Sequence, residues 1–183
     1  LRASPIQILS ADAGPGAVAW VRSDRLYWDG STQAGEQREL AYAAVLLSAD
    51  NALLRTLHLP SMSPKALQGA VLLDVQMMSP FGEDRTLWAY AARPGADSSA
   101  TQQVDVVITS RDLVAEELRE QQARLPQGVE PEVWISTGAA SIMLPGFGEK
   151  RRLASEARQR RWLGAGLFSA AVLALGLAVT PTM

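Results

Sequence analysis

The sequence has no cysteine and a single histidine, His58. Without cysteine there are no disulfides, no thiolate metal sites and no thiol nucleophile, a composition that suits a reducing compartment. One histidine removes the usual parts of catalytic triads and of most zinc sites. Basic residues are scarce over most of the length: residues 1–149 hold 11 Lys or Arg against 18 Asp or Glu, a net charge of −7. Such an acidic body argues against a nucleic-acid partner, because phosphate neutralisation needs clustered cations.

Phosphate-binding loops are missing as well. Gly146-Phe-Gly148-Glu-Lys150 lacks the first glycine spacing and the hydroxyl residue of a P-loop, and Gly14 and Gly16 have no third glycine in the required place. His58 with a carboxylate such as Asp74 or Asp105 could in principle move a proton. A surface or half-buried strand histidine is the commoner situation and the reading favoured here. The neighbours Glu83/Asp84 and Glu116/Glu117 read as solvated faces and not as a hard-cation site. The sequence therefore points to no catalytic residue, no metal and no cofactor.

What is present is concentrated at the end of the chain. From Trp162 to Met183 no side chain can carry a charge, and a helix of roughly 20 residues covers about 30 Å, the hydrocarbon thickness of a bilayer. Residues 162–180 are accordingly expected to be a transmembrane helix, with 181–183 a truncated end. The segment before it, 146–161, carries Lys150, Arg151, Arg152, Arg158, Arg160 and Arg161 with Glu156 as the one acid after Lys150. Short basic flanks stay on the cytoplasmic side, so residues 1–145 are expected to form a cytoplasmic domain of a bacterial single-pass inner-membrane protein. Within the span, Gly166, Ala170 and Ala174 are spaced to let a second helix approach, as in a homodimer. Small residues are also common in spans for no such reason.

The body alternates strand and helix signals. Residues 17–21 and 25–28 look like a hairpin, and the apolar runs 40–47 and 53–59, joined by Ser48-Ala-Asp-Asn51, look like an antiparallel pair. Ser63 and Pro64 start a helix whose Leu67, Val71, Val75 and Met78 would face a sheet. Strands follow at 86–92 and 103–109, the latter buried on both faces towards its end. A helix capped at Ser110 carries Leu113, Val114 and Leu118, and a short strand closes the set at 132–135. Layer rules make this an α/β fold with a mixed sheet and both helices packed against it. Pro80 and Phe81, at the exit of the first helix, either plug the core or serve as an anchor offered to a partner.

The run Leu53-Leu-Arg-Thr-Leu-His-Leu-Pro60, the helix after it, Ser79-Pro-Phe81, the strand around Trp88 and Val104-Asp-Val-Val-Ile-Thr-Ser-Arg111 with its helix resemble the type II secretion system protein L (GspL) family and its type IV pilus relative PilN. The likeness covers roughly residues 40–180 and lies in order and spacing. It implies a reduced actin-like or ribonuclease H-like domain, acting as a non-catalytic inner-membrane scaffold that links a cytoplasmic secretion ATPase to other platform proteins. An actin-like fold also leaves open a membrane-anchored nucleotide-binding protein or enzyme. The small periplasmic domain usual in the family is not in this sequence, and residues 1–40 are shorter than the corresponding actin-like part.

Overall fold

The computed structural model describes residues 4–10, 17–22, 25–27, 42–95, 100–125, 127–137 and 141–158. It divides into two units, Leu1–Gly148 and Glu149–Met183. The first contains two sheets. Strands β1 (Ser4–Leu9), β2 (Val18–Arg22), β3 (Arg25–Tyr27), β4 (Ala43–Leu47), β8 (Glu132–Ser136) and β9 (Ser141–Leu144) form one, in the order β3-β2-β1-β4-β8-β9. Strands β5 (Leu53–Pro60), β6 (Thr86–Pro94) and β7 (Thr101–Ser110) form the other, in the order β5-β7-β6. The helices are α1 (Pro64–Met78) and α2 (Arg111–Gln121).

The six-stranded sheet curls nearly shut into a barrel, with its outer strands β3 and β9 in contact. Side-chain alternation makes this possible, because successive residues of a strand point to opposite faces. Ile6 and Ile8 of β1, Ala19 and Val21 of β2, Ala44 and Leu46 of β4 and Trp134 of β8 fill the interior. The alternate residues Leu9, Val45, Leu47, Val133 and Ile135 point outward into a second core, shared with Val107 and Ala89 of the three-stranded sheet and Val114 of α2. Both faces of β4 are thus covered, as expected for a strand held between parallel neighbours, here β1 and β8. A third core lies on the other face of the small sheet, where Leu67, Val71 and Val75 of α1 meet Val104, Val106 and Ile108.

The helix starts follow the local chemistry. Ser63 Oγ accepts the Ala66 N–H at 3.4 Å with Pro64 in the first turn, and Ser110 Oγ accepts the Leu113 N–H at 3.2 Å. Met78 departs from the expected face and is 43% exposed. On α2, Val114 is buried while Leu113 stands 38% exposed.

The expected single mixed sheet in a reduced actin-like or ribonuclease H-like arrangement is corrected by this architecture. The runs 40–47 and 53–59 do not pair: β4 is parallel to its neighbours in the barrel, and β5 pairs antiparallel with β7 in the other sheet. The physical reason is burial. Every residue of β4 is buried, whereas β5 alternates half-buried Arg55, Leu57 and Leu59 with exposed Thr56 and His58, so the two belong to layers with different cover.

The expected membrane anchor is corrected as well. Among the described residues no helix is long and apolar enough to cross a membrane. The 15 residues of α1 would reach only about 22 Å. The span expected at 162–180, with Gly166, Ala170 and Ala174, lies outside the described residues, as do Arg160 and Arg161. The structure therefore gives no support to a single-pass inner-membrane topology or to a scaffold function built on it, and neither is carried further.

In the second unit, residues 149–158 are helical. Lys150, Arg151 and Arg158 are exposed on it. Arg152 is buried and donates to Glu156 Oε1 at 2.9 Å, one helical turn on.

Candidate functional site

An open groove of about 390 Å³ runs along β6, the outer strand of the small sheet, which has no further paired strand on that side among the described residues. Consecutive residues Thr86 to Tyr90 form one wall. Gln68 of α1 stands on one side of it, and Met143 of β9 with Pro145 on the other.

The sequence of β6 explains the character of the wall. Trp88 and Tyr90 belong to the core against α1, while Leu87 and Ala89 belong to the core against the barrel. Trp88 and Tyr90 stack with ring centres 6.2 Å apart and planes 16° from parallel. The start of the strand is pinned through Thr86, whose hydroxyl donates to the Gly82 carbonyl at 2.9 Å and shares a 2.8 Å hydrogen bond with Ser79 Oγ. Ser79 Oγ in turn accepts the Phe81 N–H at 3.2 Å. This turn leaves Pro80 exposed and Phe81 half-buried.

No group of His, Asp or Glu able to hold a metal occurs among the described residues. The carboxylates considered as partners for His58 are already engaged. Asp74 takes two hydrogen bonds from Arg55, both at 3.0 Å. Asp105 is bound by Arg93, by Thr56 Oγ1 at 3.0 Å and by Gln103 at 3.4 Å. His58 itself is exposed. Gly148, the second glycine of the segment compared with a P-loop, has a packing reason: a Cβ there would lie 2.0 Å from the Glu130 carbonyl oxygen.

Of the residues put forward in the sequence as candidate site residues, none lines the groove; Trp88, which does, is named there only for its place in the segment order. Trp88, Tyr90 and Met143 were not foreseen as a site. The Trp-Ala-Tyr alternation of β6 signals a strand with an aromatic face, but nothing local signals that this strand ends its sheet.

The fold and groove define a mixed α/β protein with a near-closed barrel and a three-stranded sheet in which β6 is an outer strand among the described residues. No family model matches the chain, and no curated protein matches it. Among solved structures, a chain of a "PilM-PilN type IV pilus biogenesis complex" aligns with a TM-score of 0.40 and 17% identity, covering 63% of this chain and 44% of that one. The likeness is distant and partial, and this chain spans less than half of that structure's length.

Proposed function

We propose that this protein is a non-catalytic binding module that takes an extended peptide segment of a partner protein as an added strand along β6. The observation that carries the reading is the groove itself: five consecutive edge-strand residues form its wall. An edge strand offers a row of backbone donors and acceptors, which is the template used in β-strand addition. Side chains of an added strand alternate between two faces. One set would lie towards Trp88, Tyr90 and Gln68, the other towards Met143 and Pro145. Both surroundings are largely apolar, so the favoured ligand is a short uncharged run with apolar residues at successive positions. Burial of the aromatic pair against such a run supplies affinity, and the backbone ladder sets direction and register.

The segment order Leu53–Pro60, Ser79–Phe81 and Val104–Arg111 directs the choice of first partners to components of pilus or secretion assemblies. Peptides selected from a random library against the full chain test the proposal by calorimetry. Gln68 is exposed, so Gln68→Trp can fill the groove from outside without disturbing a core. Selected peptides are expected to be apolar and uncharged and to lose about tenfold or more in affinity to this variant, about 1.4 kcal/mol. Peptides that bind the filled variant as tightly would place the binding elsewhere and overturn the reading.

A further inference from the structure

The hydrogen bonds of the small sheet fix which backbone groups of β6 point away from it. In an antiparallel pair, opposed residues exchange both hydrogen bonds at every second position, and the residues between turn their N–H and C=O groups to the other side. At one end of the β6–β7 ladder the Arg111 N–H donates to the Arg85 carbonyl at 2.8 Å, and at the other the Gly95 N–H donates to the Thr101 carbonyl at 3.0 Å. Both pairs continue the register that opposes Leu87 to Thr109 and Ala89 to Val107. The two ends agree: odd-numbered residues of β6 are bonded to β7, and Thr86, Trp88, Tyr90, Ala92 and Pro94 face the outer side.

That outer side is not a uniform row. The Thr86 N–H already donates to the Gly82 carbonyl at 3.0 Å, and Pro94 has no N–H. Trp88, Tyr90 and Ala92 remain, at steps of two residues, each with a donor and an acceptor. Among the described residues no backbone group bonds to them from that side. The side chains of Trp88 and Tyr90 lie on the face packed against α1, where Gln68 flanks the groove. Leu87 and Ala89 belong to the opposite face, on the side of Met143 and Pro145.

Direction follows from the sheet itself. Its strands are antiparallel throughout, and an antiparallel pair is the more stable per residue. Directly opposed residues then put their side chains on the same face.

We infer that a peptide segment taken up along β6 runs antiparallel to it and is read through alternate backbone N–H groups. Over the five residues opposite Ala92 to Trp88, the first, third and fifth exchange both hydrogen bonds with the protein and turn their side chains to the α1 face. The second and fourth point their N–H groups away from β6 and their side chains to the opposite face. Those two positions accept proline, which the other three exclude. The inference deepens the reading of β6 as the site of an added strand and rests on it. That reading asks for apolar side chains, whereas the ladder dictates spacing and direction.

The tightest peptide selected on the full chain, remade with one N-methyl group at each position in turn, tests the spacing by calorimetry on the unaltered chain and on Gln68→Trp. Sensitive positions are expected to recur at steps of two, each weakening binding about tenfold or more, with the positions between them within about threefold of the parent. The absence of cysteine from the chain makes Gln68→Cys a single thiol that reports direction. Under mild oxidation, a cysteine at a sensitive position of the peptide is expected to form a disulfide with it, and a cysteine at a tolerant position, on the other face, is not. Cross-linking from tolerant positions alone would mean a parallel strand, and sensitivity without a two-residue period would mean that the ladder is not used. Either result overturns this inference, while continued loss of binding on Gln68→Trp would leave the site itself standing. Binding indifferent to Gln68→Trp, or a selection that yields no binder, would overturn both.

Discussion

Arg55 and Asp74 form the best-defined ion pair of the first unit: a fork of two 3.0 Å hydrogen bonds joining β5 to α1, with side chains 30% and 18% exposed. Bidentate geometry raises such a pair above an ordinary surface bridge, and partial burial makes one partner costly to leave alone. Arg55→Leu is expected to destabilise by about 1–2 kcal/mol in urea unfolding. The Arg55→Leu/Asp74→Leu double variant should recover part of that loss, because it leaves no half-buried carboxylate unpaired. Glycines make a sharper contrast. At Gly148 an added Cβ would strike the Glu130 and Pro131 backbone, whereas at Gly69 on α1 it would meet nothing within 4 Å. Gly148→Ala should therefore cost about 1–3 kcal/mol or more. Gly69→Ala should stabilise the fold by about 0.5–1 kcal/mol through helix propensity, read by thermal unfolding. Both residues are glycine in the sequence, and only their surroundings separate them.

At the scale of elements, α1 and α2 each begin on a serine that accepts an N–H three residues on, but the two caps differ in burial. Ser63 is exposed and its hydrogen bond measures 3.4 Å, while Ser110 is buried with one of 3.2 Å. Ser110→Ala should cost nearer about 2 kcal/mol and Ser63→Ala nearer about 0.5, measured as shifts in denaturation midpoint. Both starts were legible in the sequence because a cap is local chemistry. The buried face Leu67, Val71 and Val75 was legible too, since helical periodicity shows which residues share a side. The partners of β4 and β5 were not, because pairing depends on which faces other elements cover. The groove escaped for the same reason: β6 has the composition of any half-buried strand, and its edge position comes from the order β5-β7-β6.

Across residues 4–148 the second core decides how the two sheets behave together. Val45, Val133 and Ile135 from the barrel share it with Val107 and Ala89 from the small sheet. Removal of either sheet exposes the other, so both are expected to unfold in one cooperative step. Variants that retain only Trp134, inside the barrel, or only Trp88, on the small sheet, should report coincident urea transitions by fluorescence. Separate midpoints would mean that the shared core does not couple them. Trp134 is fully buried and its indole N–H donates to Glu132 Oε2 at 3.0 Å. Trp134→Ala should therefore cost about 3–5 kcal/mol, combining a cavity with a deprived buried carboxylate.

Periodicity, caps and composition settle, before any folding, that residues 4–148 build strands with the helices α1 and α2 among them, and that the chain has few of the side chains that chemistry usually requires. Those are properties of neighbouring residues, and a one-dimensional record holds them. The division into a curled six-stranded sheet and a separate three-stranded one, and the outer position of β6, emerge from the folded arrangement. Each depends on what lies across a face or beyond an edge, contributed by residues distant in the chain, and burial of apolar surface takes no account of that distance.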